Sequence, residues 1–327
     1  MEELITKFGD QLEESFKIAR NYTFKHKISP ITNVVFTGMG GSGIGSKIVA
    51  QWIEKEIKVP VTFVQNYEIP SWVQAGCLVI ASSYSGNTEE TLSSVKLSHE
   101  RGAHIVGICS GGELAAFCAQ HNMDCILVPP GLPPRSALAY SLVQQLSILI
   151  WHKLISEAAY VQLNACNAFL VQHQTEIKQL AKEIVPTINN TNLVIYAEAN
   201  YESVAVRAKQ QINENSKFLC RHHSIPEMNH NELLGWGCGN SNHAALFLYT
   251  AGMHRQNSKR FELTREIVSR KTDKVLSLYA KGANQIEQSM YLIHLLDWVS
   301  LYLGYERNED VVEIENINYL KEELAKN

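Results

Sequence analysis

Short apolar runs, each bounded by turn residues and followed by a longer amphipathic stretch, recur along the whole chain. This alternation constrains the fold more than any other feature. Asn33-Val34-Val35-Phe36-Thr37 is the first such run, and Val61–Val64, Cys77–Ala81, His104–Ile108 and Cys125–Val128 follow. Runs this short suit strands buried on both faces, and the helical stretches between them supply the crossovers of a parallel sheet. The pattern predicts an α/β fold, a doubly wound and mostly parallel sheet with flanking helices. A long helix after Pro134, with Leu138, Leu142, Leu146 and Leu149 on one stripe, completes the set.

The order then restarts. A helix over about 161–184 leads past Pro186 into a strand at Leu193–Ala197, and a helix through Val204, Ala208 and Ile212 follows. Further strands are expected at Phe218–Cys220, Ala245–Tyr249 and Lys274–Tyr279, with helices at Ser258–Val268, Gln285–Leu303 and Ile314–Leu324. Two α/β units of similar size are therefore expected, over residues 1–155 and 156–327, with no Pro/Ser-rich linker between them. Open parallel sheets bind ligands outside the carboxyl ends of their strands, so the loops after the strands are where chemistry is sought.

Composition narrows the partners. With 327 residues, 45% of them hydrophobic, and a formal net charge of -4, the chain has ample core and no basic run. Nucleic-acid binding would need a basic patch, so it is excluded as a function class. An anionic substrate would have to be held by local dipoles and a few placed cations. The acidic start Met1-Glu2-Glu3-Leu4-Ile5 lacks the basic and apolar regions of a signal peptide, and no apolar run reaches membrane-spanning length. Seven cysteines (77, 109, 118, 125, 166, 220 and 238), with no C-x-x-C, point to free thiols in a reducing compartment and a cytoplasmic location.

Two turns stand out. Ser82-Ser83-Tyr84-Ser85-Gly86-Asn87-Thr88 joins the run Cys77–Ala81 to a helix carrying Leu92, Val95 and Leu97. Hydroxyls crowd a place where the first amides of a helix are unpaired and its dipole is positive, which makes a phosphate site without lysine or arginine. An ordinary polar loop and cap would show the same residues. Asn87 with Glu90 fits a capping box that sets the helix start. The other turn is Gly38-Met39-Gly40-Gly41-Ser42-Gly43-Ile44-Gly45. Gly38, Gly40 and Gly43 match the dinucleotide fingerprint, but Gln65-Asn66 stands where that fingerprint expects an acid. So many glycines allow either a ligand against the backbone or close helix–strand packing.

Taken together, these two turns resemble the sugar isomerase (SIS) domain. Three further segments narrow the resemblance to the bifunctional phosphoglucose/phosphomannose isomerase family: Pro129-Pro130-Gly131-Leu132-Pro133-Pro134-Arg135-Ser136, Asn213-Glu214-Asn215-Ser216-Lys217, and Pro226-Glu227-Met228-Asn229-His230-Asn231-Glu232. The resemblance runs from about residue 30 to the C-terminus. It implies two SIS domains, 1–155 and 156–327, and interconversion of glucose 6-phosphate and fructose 6-phosphate through a cis-enediol, without metal or other cofactor. It implies that Glu214 shuttles the proton between C1 and C2. His230 assists ring opening, contributed in the family across a dimer interface, and Lys321 in the last helix helps. Arg135 stabilises the enediolate; it follows Pro133-Pro134 at a helix start, where the dipole disfavours a cation. Ser42, Ser83, Ser85 and Thr88 would hold the phosphate, with the backbone of Gly40 and Gly41 beside the sugar. The partners implied are a hexose 6-phosphate and a second copy of the chain, with no nucleic acid and no membrane.

Other readings of the same residues are a solvated carboxylate at Glu214, a capping histidine at His230, a surface arginine at Arg135 and a solvated lysine at Lys321. His222 and His223 next to His230 invite a metal site, but neighbours on one strand point to opposite faces. The family carries a threonine shortly before its last helix, associated with room for the mannose epimer. Here that segment is Asn308-Glu309-Asp310-Val311-Val312-Glu313-Ile314, so glucose 6-phosphate is the firmer substrate. A non-catalytic sugar-phosphate sensor would not need Glu214, His230, Arg135 and Lys321 together. An isomerase of another phosphosugar remains the third reading.

Overall fold

The computed structural model describes residues 1–238, 242–324 and 326, without the side chain of Cys238. In chain order, α1 (Glu2–Thr6) and α2 (Phe8–Asn21) precede β1 (Asn33–Thr37), α3 (Gly40–Ile53), β2 (Val61–Val64), β3 (Cys77–Ser82) and α4 (Glu89–Glu100). Next come β4 (His104–Cys109), α5 (Gly112–Gln120), β5 (Asp124–Leu127), a 3-10 turn at Pro134–Ser136, and α6 (Leu138–Trp151). After α7 (Ala158–Ile188) the chain runs through β6 (Asn192–Glu198), α8 (Glu202–Ser216), β7 (Arg221–Ile225) and a 3-10 turn at Glu227–His230. It ends with α9 (Glu232–Gly235), β8 (His243–Tyr249), α10 (Arg255–Ser269), β9 (Val275–Tyr279), α11 (Gln285–Glu306) and α12 (Glu315–Leu324).

The chain divides into two compact units. The N-terminal unit comprises Thr6–Gln172 and Gly282–Met290; the C-terminal unit comprises Met1–Ile5, His173–Lys281 and Tyr291–Asn327. Trp52 Nε1 donates to Ser289 Oγ at 3.1 Å, one of the bonds tying the short second segment into the N-terminal unit.

The N-terminal unit is built on a five-stranded parallel sheet in the order β2-β1-β3-β4-β5. Every residue of β3 is buried, as a central strand covered on both faces requires. Val79, Ile105, Val95 and Leu114 join sheet, α4 and α5 in one core. The crossovers from β1 and from β3 leave in opposite directions, so the sheet has its switch point between these two strands. A crevice at the carboxyl ends of β1 and β3 is the expected ligand position.

The C-terminal unit repeats the plan with four parallel strands in the order β7-β6-β8-β9. Tyr196, Phe247 and Phe261 are fully buried in its core, and each such ring contributes about 2–3 kcal/mol by leaving water.

Some local expectations are corrected. Phe218–Cys220 is not a strand; β7 begins at Arg221. Lys217, at φ +47°, closes α8, and Asn213 Oδ1 accepts from Cys220 N at 2.9 Å, so the apolar run is used up in reversing the chain. Pro186 does not stop the helix before it but lies inside the last turn of α7, which ends at Ile188. Thr88, not Asn87, is the N-cap residue of α4, and it makes no side-chain cap bond. Asn87 Oδ1 instead accepts from Glu113 N at 2.9 Å, serving the first turn of α5. The capping-box reading failed because a side chain three residues from an acid can be claimed by a neighbouring helix that the local pattern does not contain.

Candidate active site

The β1/β3 switch point is where the N-terminal unit gathers its chemistry. The loop after β3 is pinned by Tyr84: its carbonyl accepts from Ser110 N at 2.8 Å and from Ser110 Oγ at 2.7 Å. Its phenol donates to Pro129 O at 2.7 Å and accepts from Leu132 N at 3.0 Å. Gly86 has φ +74°, and a Cβ there would lie 1.9 Å from Gly111 O, so only glycine fits.

Around this frame stand the hydroxyls. Ser42 Oγ accepts from Tyr84 N at 3.0 Å, which joins the glycine turn to the serine loop and leaves the Ser42 hydroxyl proton to donate. Ser83 Oγ and Thr88 Oγ1 share a bond of 2.9 Å; whichever donates, the other keeps its proton. Ser85 is exposed, and its oxygen accepts from Asn87 N at 3.2 Å. The loop that carries Ser83, Ser85 and Thr88 thus runs into the first turn of α4, which has no side-chain cap, and is tied through Tyr84 N to Ser42. Such a loop suits a phosphate.

The glycine turn serves both uses left open by the sequence. A Cβ at Gly41 would come within 2.7 Å of Pro134 O, so this glycine lets α3 press against the Pro134–Ser136 turn. Gly40, at φ +49°, faces open space instead. Gln65, at the place of the missing acid, donates from Nε2 to Gly38 O at 3.3 Å and so lies against the glycine turn itself.

Arg135 sits in that 3-10 turn, ahead of α6, with 3% of its surface exposed. A guanidinium this buried is held by its surroundings, and α2 clamps the turn from below. Gln11 Nε2 donates to Ser136 O at 2.8 Å, and Gln11 Oε1 accepts from Ala139 N at 3.0 Å. A small cavity opens here, lined by Gly41, Ser42, Ser82, Tyr84, Pro134 and Tyr140 among others. Of the candidates in this unit, Gly41 packs against the turn that carries Arg135 and Ser42 is bonded to the serine loop, and both line the cavity.

The C-terminal unit separates two of its three candidates. Glu214, half-buried, ends α8 at the amino edge of the sheet, because α8 runs antiparallel to the strands it joins. His230, exposed, lies beyond the carboxyl end of β7. The five residues of β7 between them span about 16 Å at ~3.3 Å per residue. The two residues thus lie at opposite ends of the strands of this sheet. The His230 turn is anchored by its neighbours: Asn229 Nδ2 donates to Thr264 Oγ1 at 2.7 Å, and Glu232 Oε1 accepts from Tyr196 Oη at 2.5 Å.

Lys321 is exposed on α12, and the turn leading into α12 is drawn to the Glu214 end of α8. Lys217 Nζ bonds Glu214 O at 3.0 Å, Glu313 O at 2.9 Å and also Asp310 O. His222 and His223 take neighbouring positions on β7, paired with Ile195 and Tyr196, and turn to different partners. His222 Nε2 lies 3.5 Å from Glu202 Oε1, and His223 Nδ1 accepts from Ser224 N at 2.9 Å. Among the described residues no three His, Cys, Asp or Glu side chains gather as metal ligands. Sequence reasoning missed Tyr84, Gln11 and Lys217, which organise the site without chemistry of their own; only the lone aromatic inside a run of hydroxyls hinted at the first.

Residues 27–150 match the SIS domain family, and residues 176–324 match the bacterial phospho-glucose isomerase C-terminal SIS domain. A bifunctional phosphoglucose/phosphomannose isomerase of Caldicellulosiruptor bescii is 33% identical over 99% of this chain and 99% of its own length. Another of the same name from Aquifex aeolicus is 31% identical over 96% of this chain and 99% of its length. The crystal structure of a hypothetical protein from Thermus thermophilus superposes with a TM-score of 0.78 at 14% identity, covering 99% of this chain and 90% of that one, a likeness of fold.

Proposed function

Since this chain belongs to the bifunctional phosphoglucose/phosphomannose isomerase family and is an aldose–ketose isomerase, we propose that it interconverts glucose 6-phosphate and mannose 6-phosphate with fructose 6-phosphate through a cis-enediol. The observation that supports this reading is the hydroxyl-rich loop after β3, which leads into a helix start with no side-chain cap and is bonded through Tyr84 N to Ser42 at the β1/β3 switch point.

Ser42, Ser83, Ser85 and Thr88 hold the phosphate, and the backbone of Gly40 and Gly41 lies beside the sugar. His230 and Lys321 transfer the ring-opening protons. Glu214 removes the proton from C2 of the open aldose; the C–H electron pair becomes the C1–C2 double bond as the C1 carbonyl pair moves onto O1, giving the enediolate, and the proton then returns to C1 while the O2 proton passes to O1 and C2 becomes the carbonyl. Arg135 meets the negative charge that develops on the enediolate oxygens; its buried guanidinium acts where water screens it little. The step calls for no metal.

The positions of Glu214 and His230 on opposite edges of one sheet support a homodimer in which His230 serves the partner's site. Ile317, Leu320 and Leu324 on α12 are exposed, as the apolar face of a helix covered by another surface would be. Among the described residues no helix is long and apolar enough to cross a membrane; a cytoplasmic enzyme fits that, as do six described cysteines without a disulfide. The reading is tested by coupled assays on glucose 6-phosphate and mannose 6-phosphate, with and without a chelator. Turnover of both is expected, unchanged by chelation. Folded protein inactive on both sugars would end this reading, and activity on glucose 6-phosphate alone would remove the second substrate.

A further inference from the structure

Lys217 closes α8 three residues after Glu214, and its backbone is left-handed, at φ +47°. Helices commonly end this way, but with glycine or asparagine. A lysine there bears a steric cost of about 1–2 kcal/mol, which calls for a reason. Its side chain supplies one. Nζ folds back over the helix end and donates to Glu214 O at 3.0 Å, crosses to Glu313 O at 2.9 Å, and reaches Asp310 O. An ammonium has three donors and no acceptor; here all three meet main-chain carbonyls. The Glu313 carboxylate lies 3.9 Å away.

The receiving segment is itself organised. Asp310 Oδ1 accepts from Val312 N at 2.8 Å and Glu313 N at 3.3 Å, and Glu313 Oε1 accepts from Glu315 N at the start of α12. Behind Glu214, α8 is bolted to α11. Arg207 Nη2 donates to Asp297 Oδ2 at 2.8 Å, Asn215 Nδ2 to Ser300 Oγ at 3.0 Å, and Ser216 Oγ to Ser300 O at 2.6 Å. One side of the α8 terminus is therefore fixed by α11, and the other by the Lys217 ammonium that ties it to the 310–313 turn.

We propose that Lys217 is the positioning residue of the isomerisation: it holds the carboxyl end of α8, and Glu214 with it, in fixed register against the turn that launches α12 and Lys321. The proposal rests on the reading of Glu214 as the base. It accounts for a lysine where a glycine would be easier, and for donors spent on backbone rather than on the neighbouring carboxylate. A base displaced by about 1 Å can lose about 100-fold in rate.

The test uses the full-length enzyme, assayed at a temperature where each variant is shown by circular dichroism to be folded. Lys217→Met is expected to lower kcat about 10- to 100-fold while KM for fructose 6-phosphate stays within about twofold. Lys217→Arg should recover part of the loss, since a guanidinium can still donate to the carbonyls. Lys217→Gly relieves the left-handed backbone but removes the ammonium; it should remain folded and be as slow as Lys217→Met. If Lys217→Gly or Lys217→Met keeps the wild-type kcat, Lys217 is only a helix cap and the proposal is overturned. Glu214→Gln is run alongside. Were it fully active, the base assignment would fall and the proposal with it; were it inactive beside a fully active Lys217→Met, only the role of Lys217 would fall.

Discussion

Gly86 shows how far one position can depend on distant chain. Its φ of +74° is a cost to any other residue, but the decisive contact is with Gly111 O, which a Cβ would approach to 1.9 Å. Gly111 lies across the loop, at the start of α5, and is invisible to a local reading of the serine run. Gly86→Ala is therefore expected to cost more than about 2 kcal/mol and to weaken sugar-phosphate binding, because the loop that carries Ser83, Ser85 and Thr88 must move. Thermal unfolding together with the KM for fructose 6-phosphate checks this; a variant with unchanged midpoint and KM would show that the loop yields cheaply. The hydroxyls and glycines of this turn were legible in the sequence because each is needed for its own chemistry. Which hydroxyl props which was not. Ser83 and Thr88 bond to each other, Ser42 bonds to Tyr84, and Asn87 serves another helix.

Elements were legible where hydrophobic periodicity ran uninterrupted, as in β1, β3 and α11, and misplaced where polar or backbone bonds overrode it, as at Phe218–Cys220. The α8–α11 seam is such a polar element pair inside the core. His294 on α11 accepts at Nε2 from Trp298 Nε1 at 3.3 Å, so the ring is neutral there. Burial, aided by the Lys178 and Arg207 charges, pushes its pKa down from 6.5 to about 4. The sign follows. Between pH 6.5 and about 4 the unfolded chain takes up a proton that the folded chain refuses, so folding stability falls as the pH drops through that window. The loss from this group is at most about 3 kcal/mol. Urea unfolding at pH 7.5 and pH 4.5 should show the decline, and His294→Gln should flatten that part of it. An unaltered slope in the variant would assign the acid sensitivity elsewhere.

At the scale of the whole molecule, the sheet of the C-terminal unit keeps Glu214 and His230 apart, and a hybrid experiment reads the consequence. On the proposed dimer, the Glu214→Gln and His230→Ala proteins should each be nearly inactive. Mixed after co-refolding, they should regain about a quarter of wild-type activity, because half the dimers are hybrids and each hybrid holds one intact site. Persistent inactivity of a mixture shown to contain hybrids would put His230 and Glu214 in the same chain's site. The sequence by itself determined the class of fold, since alternating apolar runs and amphipathic helices have few solutions other than parallel sheets with crossovers. It also determined the chemistry on offer, through the serine loop, the glycine turn and the segments around Arg135, Glu214 and His230. Only the tertiary structure decided the strand orders, and with them the switch point where the serine loop lies. It also decided which edge of the sheet each catalytic candidate occupies and which side chains brace the site. Strand order and bracing are set by contacts between residues far apart in the chain, such as Gln11 with Ser136 or Lys217 with Glu313, and no local pattern carries that information.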